Sequence, residues 1–233
     1  MAGSTALSEA SISALTTRLE QENPEAIVRW AIETFGDGVS IGASFGGVTG
    51  MAILHMAATL KPDVHVFVLD TDYLFEETHE TMRQAVSSLD LTNVQVYKSK
   101  LNHEVQAAKH GSALWMRNPD LCCEIRKVEP NRRALAGKTC WLSGLRRDQS
   151  EGRASVPIVE WNNKFGVLKV NPLANWTEAQ TWDYVVKHEV PYNPLLNQGY
   201  TSIGCFNCTL PGVQGRAGRW AGFDKDECGL HTS

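Results

Sequence analysis

The chain has 233 residues, 42% of them hydrophobic and 21% charged, with a formal net charge of −4. That length suits one domain with a proper core, and the mild acidity gives no reason to expect nucleic acid or an anionic membrane as partner. The longest apolar run, V-H-V-F-V-L at 64–69, is about a third of a membrane span. The first ten residues, M-A-G-S-T-A-L-S-E-A, lack a basic start followed by an apolar stretch, and Glu9 and Glu20 argue against a transit segment. A cytoplasmic protein is expected.

In chain order, residues 1–36 read as a polar, helical extension in which Pro24 opens a helix. G-V-S-I-G-A-S-F (38–45) is a buried strand running into the loop G-G-V-T-G (46–50), and 51–60 is a helix. Residues 64–69 form a second strand dense in β-branched and apolar side chains, 76–86 a helix and 93–97 a third strand. A helix is expected over 122–135 with a break near Pro130, then strands at 139–144 and 156–160. Thr177 and Glu178 open a helix over 177–187. Beyond Pro191 the chain turns irregular and glycine-rich, and about 209–233 reads as a mobile tail. Alternating strands and helices predict a single α/β domain with a mostly parallel, doubly wound sheet. Ligands in such folds bind past the carboxyl ends of strands where strand order switches, which directs attention to Ser44–Gly50, Asp70–Asp72 and Gly144–Asp148.

The six cysteines of a chain without an export signal are expected as thiols, metal ligands or catalysts rather than disulfides. Cys122 and Cys123 are adjacent, while Cys205 and Cys208 form C-F-N-C about eighty residues later. Two such pairs suit a four-thiolate site, with Gly204 allowing a tight backbone. Neighbouring cysteines can take separate irons of a cubane, whereas zinc knuckles use C-x2-C at both ends; zinc, a redox C-x-x-C and unrelated buried thiols remain alternatives. Cys140, between Thr139 and Trp141 on a strand, reads as a small buried hydrophobe. Cys228, close to the carboxy terminus in E-C-G-L-H, has little core to pack into.

C-C-E-I-R-K, G-L-R-R-D-Q-S, P-Y-N-P-L-L-N-Q-G-Y-T-S-I-G-C-F-N-C-T, R-A-G-R-W and E-C-G-L-H together resemble the assimilatory adenylyl-sulfate (APS) reductases and their phosphoadenylyl-sulfate (PAPS) relatives. The resemblance runs from about residue 38 to the end. It implies a nucleotide α-hydrolase-like (PP-loop) fold and a [4Fe-4S] cluster on Cys122, Cys123, Cys205 and Cys208, which positions and polarises substrate rather than carrying electrons. It also implies reduction of APS to sulfite and AMP in sulfate assimilation and cysteine biosynthesis. In that scheme Cys228 is the nucleophile, forming an S-sulfocysteine that reduced thioredoxin, or a glutaredoxin-like thiol, then clears.

The substrate's phosphate and sulfate call for fixed cations, and Arg126, Lys127, Arg216 and Arg219 flank the cysteine motifs. A protonated His231 would join them in favouring the Cys228 thiolate. Ser44, Phe45, Gly46 and Gly47 lie between a strand and a helix, where backbone N–H groups can hold the α-phosphate. By matching position, Leu69 and Gly144 would contact adenine and Arg153 the ribose. Asp70 and Asp72 read as structural or substrate-adjacent carboxylates. Two departures stand out: Val48-Thr49-Gly50 replaces the acidic pair of many APS reductases, and the T-L-P-G-V-Q-G connector before Arg216 is short. A cluster-bearing PAPS reductase, a zinc-binding nucleotide sensor without turnover and an ATP-type α-hydrolase are the competing readings. A homo-oligomer is compatible with the sequence, which does not fix the oligomeric state.

Overall fold

The computed structural model describes residues 8–213, 215–225 and 227–231. The first seven positions of the expected N-terminal extension, and Gln214, Asp226, Thr232 and Ser233 of the expected tail, lie outside the described residues.

The extension is two helices, α1 (Glu9–Leu19) and α2 (Pro24–Phe35). Pro24 occupies the first turn of α2, and the Asn23 side chain caps it by accepting from the Ala26 N–H at 2.8 Å. Six strands follow: β1 (Val39–Ala43), β2 (His65–Asp70), β3 (Val94–Lys98), β4 (Cys140–Leu142), β5 (Val159–Asn162) and β6 (Val167–Val170). They form one sheet in the order β3-β2-β1-β4-β6-β5, parallel throughout except that β5 runs antiparallel to β6. The helices between and after them are α3 (Val48–Leu60), α4 (Glu76–Ser88), α5 (His103–His110), α6 (Leu114–Arg117), α7 (Pro119–Cys123), α8 (Glu129–Ala134) and α9 (Glu178–Lys187). This is the mostly parallel α/β class anticipated from the alternation of elements. Among the described residues no helix is long and apolar enough to cross a membrane.

The central strands are buried on both faces, as parallel strands sandwiched by helices must be. Ile41, Val66 and Leu142 are within 1% of complete burial, and α3 contributes Ala52, Ile53 and Leu54 to the same core. The chain steps outward from β1 through β2 to β3, then returns to place β4 on the other side of β1. Loops leaving β1 and β4 therefore diverge, opening a crevice at the switch.

Three local readings change. β6, V-L-K-V, was missed because Lys169 interrupts the apolar run; the strand tolerates it since Nζ pairs with Glu160 on β5 at 2.8 Å. α5 also falls in a stretch that carried no expectation. The helix expected over 122–135 is continuous: a π-helical turn (Glu124–Val128) joins α7 to α8, with the Glu129 N–H reaching the Glu124 carbonyl. Pro130 has no N–H to give to Arg126, and the wider turn just upstream takes up the mismatch without a break.

The β5 edge is covered. The Thr16 hydroxyl on α1 donates to the Val159 carbonyl at 2.9 Å, and Glu20 pairs with Arg147 at 2.5 Å.

Candidate active site

A cavity of about 310 Å³ opens at the switch point, within the size range of small-ligand sites. Its floor is the Ser44–Gly50 loop and the start of α3, whose first N–H groups have no helical partner. Gly47 precedes the helix in extended conformation, and a Cβ on Gly46 would sit 3.0 Å from the Ile203 carbonyl. Phe45 adopts φ +51° and is 1% exposed. That conformation costs a bulky residue energy. Asn193 steadies it from the far end of the chain, its amide donating to the Phe45 carbonyl and to Thr78, each at 3.1 Å.

The second wall is G-L-R-R-D-Q-S, whose polar side chains hold the loops. Buried Arg146 donates to Thr49 of α3 and, at 2.8 Å, to Asp148. Asp148 in turn accepts from the Glu178 N–H at the start of α9. Gln149 accepts from the Arg146 N–H at 3.0 Å and from Arg153 at 2.5 Å, and donates to the Gly144 carbonyl at 3.3 Å.

The third wall is irregular chain. Thr209 and Arg219 form an isolated bridge, and the Trp220 N–H donates to the Cys208 carbonyl at 3.1 Å. These contacts bring R-A-G-R-W back against C-F-N-C. Gly204 serves this return: a Cβ there would collide with the Arg219 guanidinium. Its φ is not positive, so what a glycine provides at 204 is room for the Arg219 guanidinium and not the turn expected of it. The Trp220 ring, 2% exposed, receives Arg219 at 4.5 Å, Lys225 at 5.4 Å, Arg216 at 5.9 Å and Lys127 at 6.0 Å. The Trp220 π system partly offsets the mutual repulsion of these cations.

Of the residues singled out from sequence, Ser44, Gly46, Gly47, Leu69, Lys127, Gly144, Arg153, Arg216, Arg219, Cys228 and His231 all line this cavity. Phe45 and Arg126 do not. The Phe45 ring faces the core. Arg126, 1% exposed, lines a second, small cavity with Cys122, Cys123, Cys205 and Cys208, and pairs with Asp72 at 2.9 Å. Asp70 and Asp72 both hold Lys98, at 3.0 and 2.8 Å, which makes them structural.

Around the second cavity burial, then the neighbouring cysteines, push Cys122 up to about 12, and Cys208 rises to about 11 for the same reasons. Cys123 is also raised, chiefly by burial. Cys205 differs: burial opposes ionisation, but Lys127, the Thr71 hydroxyl at 3.3 Å and Arg219 bring it below the usual thiol value. Lys127 stands between the two cavities. Burial works against its charge, yet the sulfurs of Cys205, Cys228 and Cys123 hold its proton more firmly than usual. Cys140 sits apart in the core, pushed up to about 12 by burial, as expected of a buried hydrophobe. Among the described residues no three cysteine, histidine or acidic groups form a ready-made coordination sphere.

The described residues at the end of the tail contact the body of the fold: Glu227 pairs with Arg153 and Arg216, the Gly229 carbonyl accepts from Lys164 at 2.7 Å, and Leu230 packs against the cluster that holds Phe67, Trp141 and Val167. His231 stacks on Trp141. It is not the protonated neighbour expected from sequence: loss of water around the ring, then Lys169, Arg153 and Arg216, hold its pKa well below 6.5. Sequence reasoning missed Glu227, Gln149, Asn193, Trp220 and Lys169. The one available signal was an acid beside a cysteine in an otherwise basic constellation.

Comparison with known proteins places the chain among sulfonucleotide reductases. Residues 40–211 match the family described as phosphoadenosine phosphosulfate reductase domain. The chain is 46% identical over 226 residues to adenosine 5'-phosphosulfate reductase of Salinibacter ruber, covering 95% of this chain and 89% of that protein. It is 40% identical to the protein of that name from Staphylococcus haemolyticus, covering 95% and 92%. The crystal structure of phosphoadenylyl-sulfate reductase from Candida auris, a phosphate complex, superposes with a TM-score of 0.79 at 35% identity, over 89% of this chain and 100% of that one. FMN adenylyltransferase from Candida glabrata shares the fold alone, at 16% identity and TM-score 0.58, over 89% and 67%.

Proposed function

We propose, given that the chain belongs to the phosphoadenosine phosphosulfate reductase family, that it reduces adenylyl sulfate to sulfite and AMP through a sulfonated Cys228. The observation that carries this reading is the seating of Cys228 in the same cavity as Lys127, Arg216, Arg219 and the α3 N-terminus. A cysteine sulfur and a set of oxyanion-binding groups converge on one space.

The nucleotide's α-phosphate takes the free N–H groups of α3 and the Gly46–Gly47 backbone, while the sulfate faces Lys127 and the arginines. The Cys228 thiolate attacks the sulfate sulfur, forming an S–S bond as the S–O anhydride bond breaks, and AMP leaves with the electron pair. The cations are already in place and stabilise charge on the leaving phosphate. A dithiol of the thioredoxin or glutaredoxin type then attacks Cys228 Sγ. Sulfite departs with the bonding pair, and the partner's second thiol resolves the mixed disulfide, so two thiols are oxidised as sulfur is reduced. The protein acts in sulfate assimilation in the cytoplasm.

The second cavity suits a [4Fe-4S] cluster on Cys122, Cys123, Cys205 and Cys208. Four thiols line one space, and the buried Arg126 Nη2 there has no hydrogen-bond partner among the described residues, a donor that cluster sulfur could accept. Bound there, the cluster supplies a compact charge next to Lys127 that helps to orient the substrate.

The test quenches protein with each nucleotide before reductant is added. Sulfonation mapped to the Cys228 peptide, faster with APS than with PAPS, is expected. No adduct with either nucleotide would falsify the scheme; faster labelling by PAPS would make the chain a PAPS reductase.

A further inference from the structure

The main cavity is cationic, yet one carboxylate from the chain itself stands among its arginines. Glu227 Oε1 accepts from Arg153 Nε at 2.6 Å and from Nη2 at 2.5 Å, while Oε2 accepts from Arg216 Nη2 at 3.2 Å. Both partners line the cavity, and the Glu227 side chain is only 17% exposed. Forked guanidinium groups of this kind recognise sulfate and phosphate as readily as carboxylate. Of the two acids among the described residues that line the cavity, Asp148 is engaged by Arg146 and the start of α9, and Glu178 lies at that helix start, its N–H donating to Asp148. Glu227 also immediately precedes Cys228. On the far side of the cysteine, Gly229 turns with φ +79° and its carbonyl is held by Lys164. Cys228 is therefore fixed on one side by Glu227 and on the other by Gly229, Leu230 and His231, and the Glu227 fastening consists of groups an incoming oxyanion would claim.

We infer that Glu227 is a displaceable tether: without substrate it holds Cys228 in the cavity through Arg153 and Arg216, and a sulfate or phosphate group entering the cavity takes over those arginines and loosens the tail. Glu227 is a positioning residue, acting on Cys228 through the two guanidinium groups. The inference rests on the sulfonucleotide reading for its purpose, since the exchange ties substrate arrival to the freedom of a segment that must later meet a second protein. Its physical content stands apart from turnover.

The experiment measures carbamidomethylation of Cys228 by iodoacetamide, mapped by peptide mass spectrometry, on the full chain kept anaerobic. Inorganic sulfate is the probe, and potassium chloride at equal ionic strength controls for screening. In the unmodified protein sulfate should speed labelling about tenfold over chloride, the scale of breaking a charge-assisted contact. Glu227→Gln should label as fast without sulfate and respond to it less than about twofold; Glu227→Asp, which keeps the charge but shortens the reach, should fall between. Equal labelling of Glu227→Gln and the unmodified protein in chloride overturns the tether, and so does an unmodified protein indifferent to sulfate. Because no turnover is read, failure of sulfonucleotide reduction leaves this result intact. An active enzyme with unchanged labelling removes the tether alone.

Discussion

His231 lies flat on Trp141, ring centroids 5.3 Å apart and planes 16° from parallel, which seats the last described residue of the chain on a strand at the centre of the sheet. The docked ring resists protonation, because desolvation and the charges of Lys169, Arg153 and Arg216 disfavour imidazolium. The released tail binds the proton more readily. Docking is therefore fully supported above the ordinary histidine value of 6.5 and weakens as pH falls below it. Hydrogen exchange over 227–231, corrected for intrinsic rates, should increase between about pH 6.5 and 5. His231→Gln should flatten the response; an unchanged pH profile in that variant would assign it to another group.

Cys228→Ser should bind AMP within about threefold of the unmodified protein yet lose at least about 10³-fold in sulfite release. Stopped assays with reductant in excess check this, and substantial residual turnover would move the nucleophile elsewhere.

Gly204→Ala places a methyl group where the Arg219 guanidinium lies. The arginine must swing away, so KM for the nucleotide should rise about tenfold or more while stability drops by about 1–3 kcal/mol. Steady-state kinetics beside thermal melting separate the two. A stability loss with unaltered KM would show that Arg219 does not touch substrate.

Cys205→Ser removes the one cysteine of the four whose thiolate the surroundings favour, through Lys127, Thr71 and Arg219 against burial. Anaerobic preparations should fall from about four irons and matching labile sulfide per chain to near none. Full iron in the variant would discard the ligand set, and one zinc without iron in the parent would replace the cluster.

Lys169→Met leaves Glu160 facing the sheet without its cation. The loss should stay below the about 3–5 kcal/mol of a fully buried pair, since Glu160 retains 24% exposure and still accepts from Asn171 at 3.2 Å. Chemical denaturation measures it, and the double variant with Glu160→Gln should recover part of the loss.

The strands β1 to β4 and the cavity at their ends were legible because parallel strands are runs of apolar residues and the loops after them carry glycine and charge. The cysteine pairs and R-A-G-R-W were legible as motifs, each compact in sequence. What stayed hidden was every contact made across the fold. Glu227 meets Arg153 at a separation of 74 residues and Asn193 meets Phe45 at 148, and no local pattern encodes either pairing. β6 hid for the opposite reason: its buried lysine looks polar until the partner strand is beside it. Burial also reversed the expected charge of His231, a quantity set by surroundings rather than by residue type.

The helix α1, bonded through Thr16 to the outermost strand β5, shields that strand's unpaired backbone from other chains. A shortened protein beginning after Glu22 would keep its whole cavity and still bare a ribbon margin, so it should self-associate on concentration before it loses any binding chemistry.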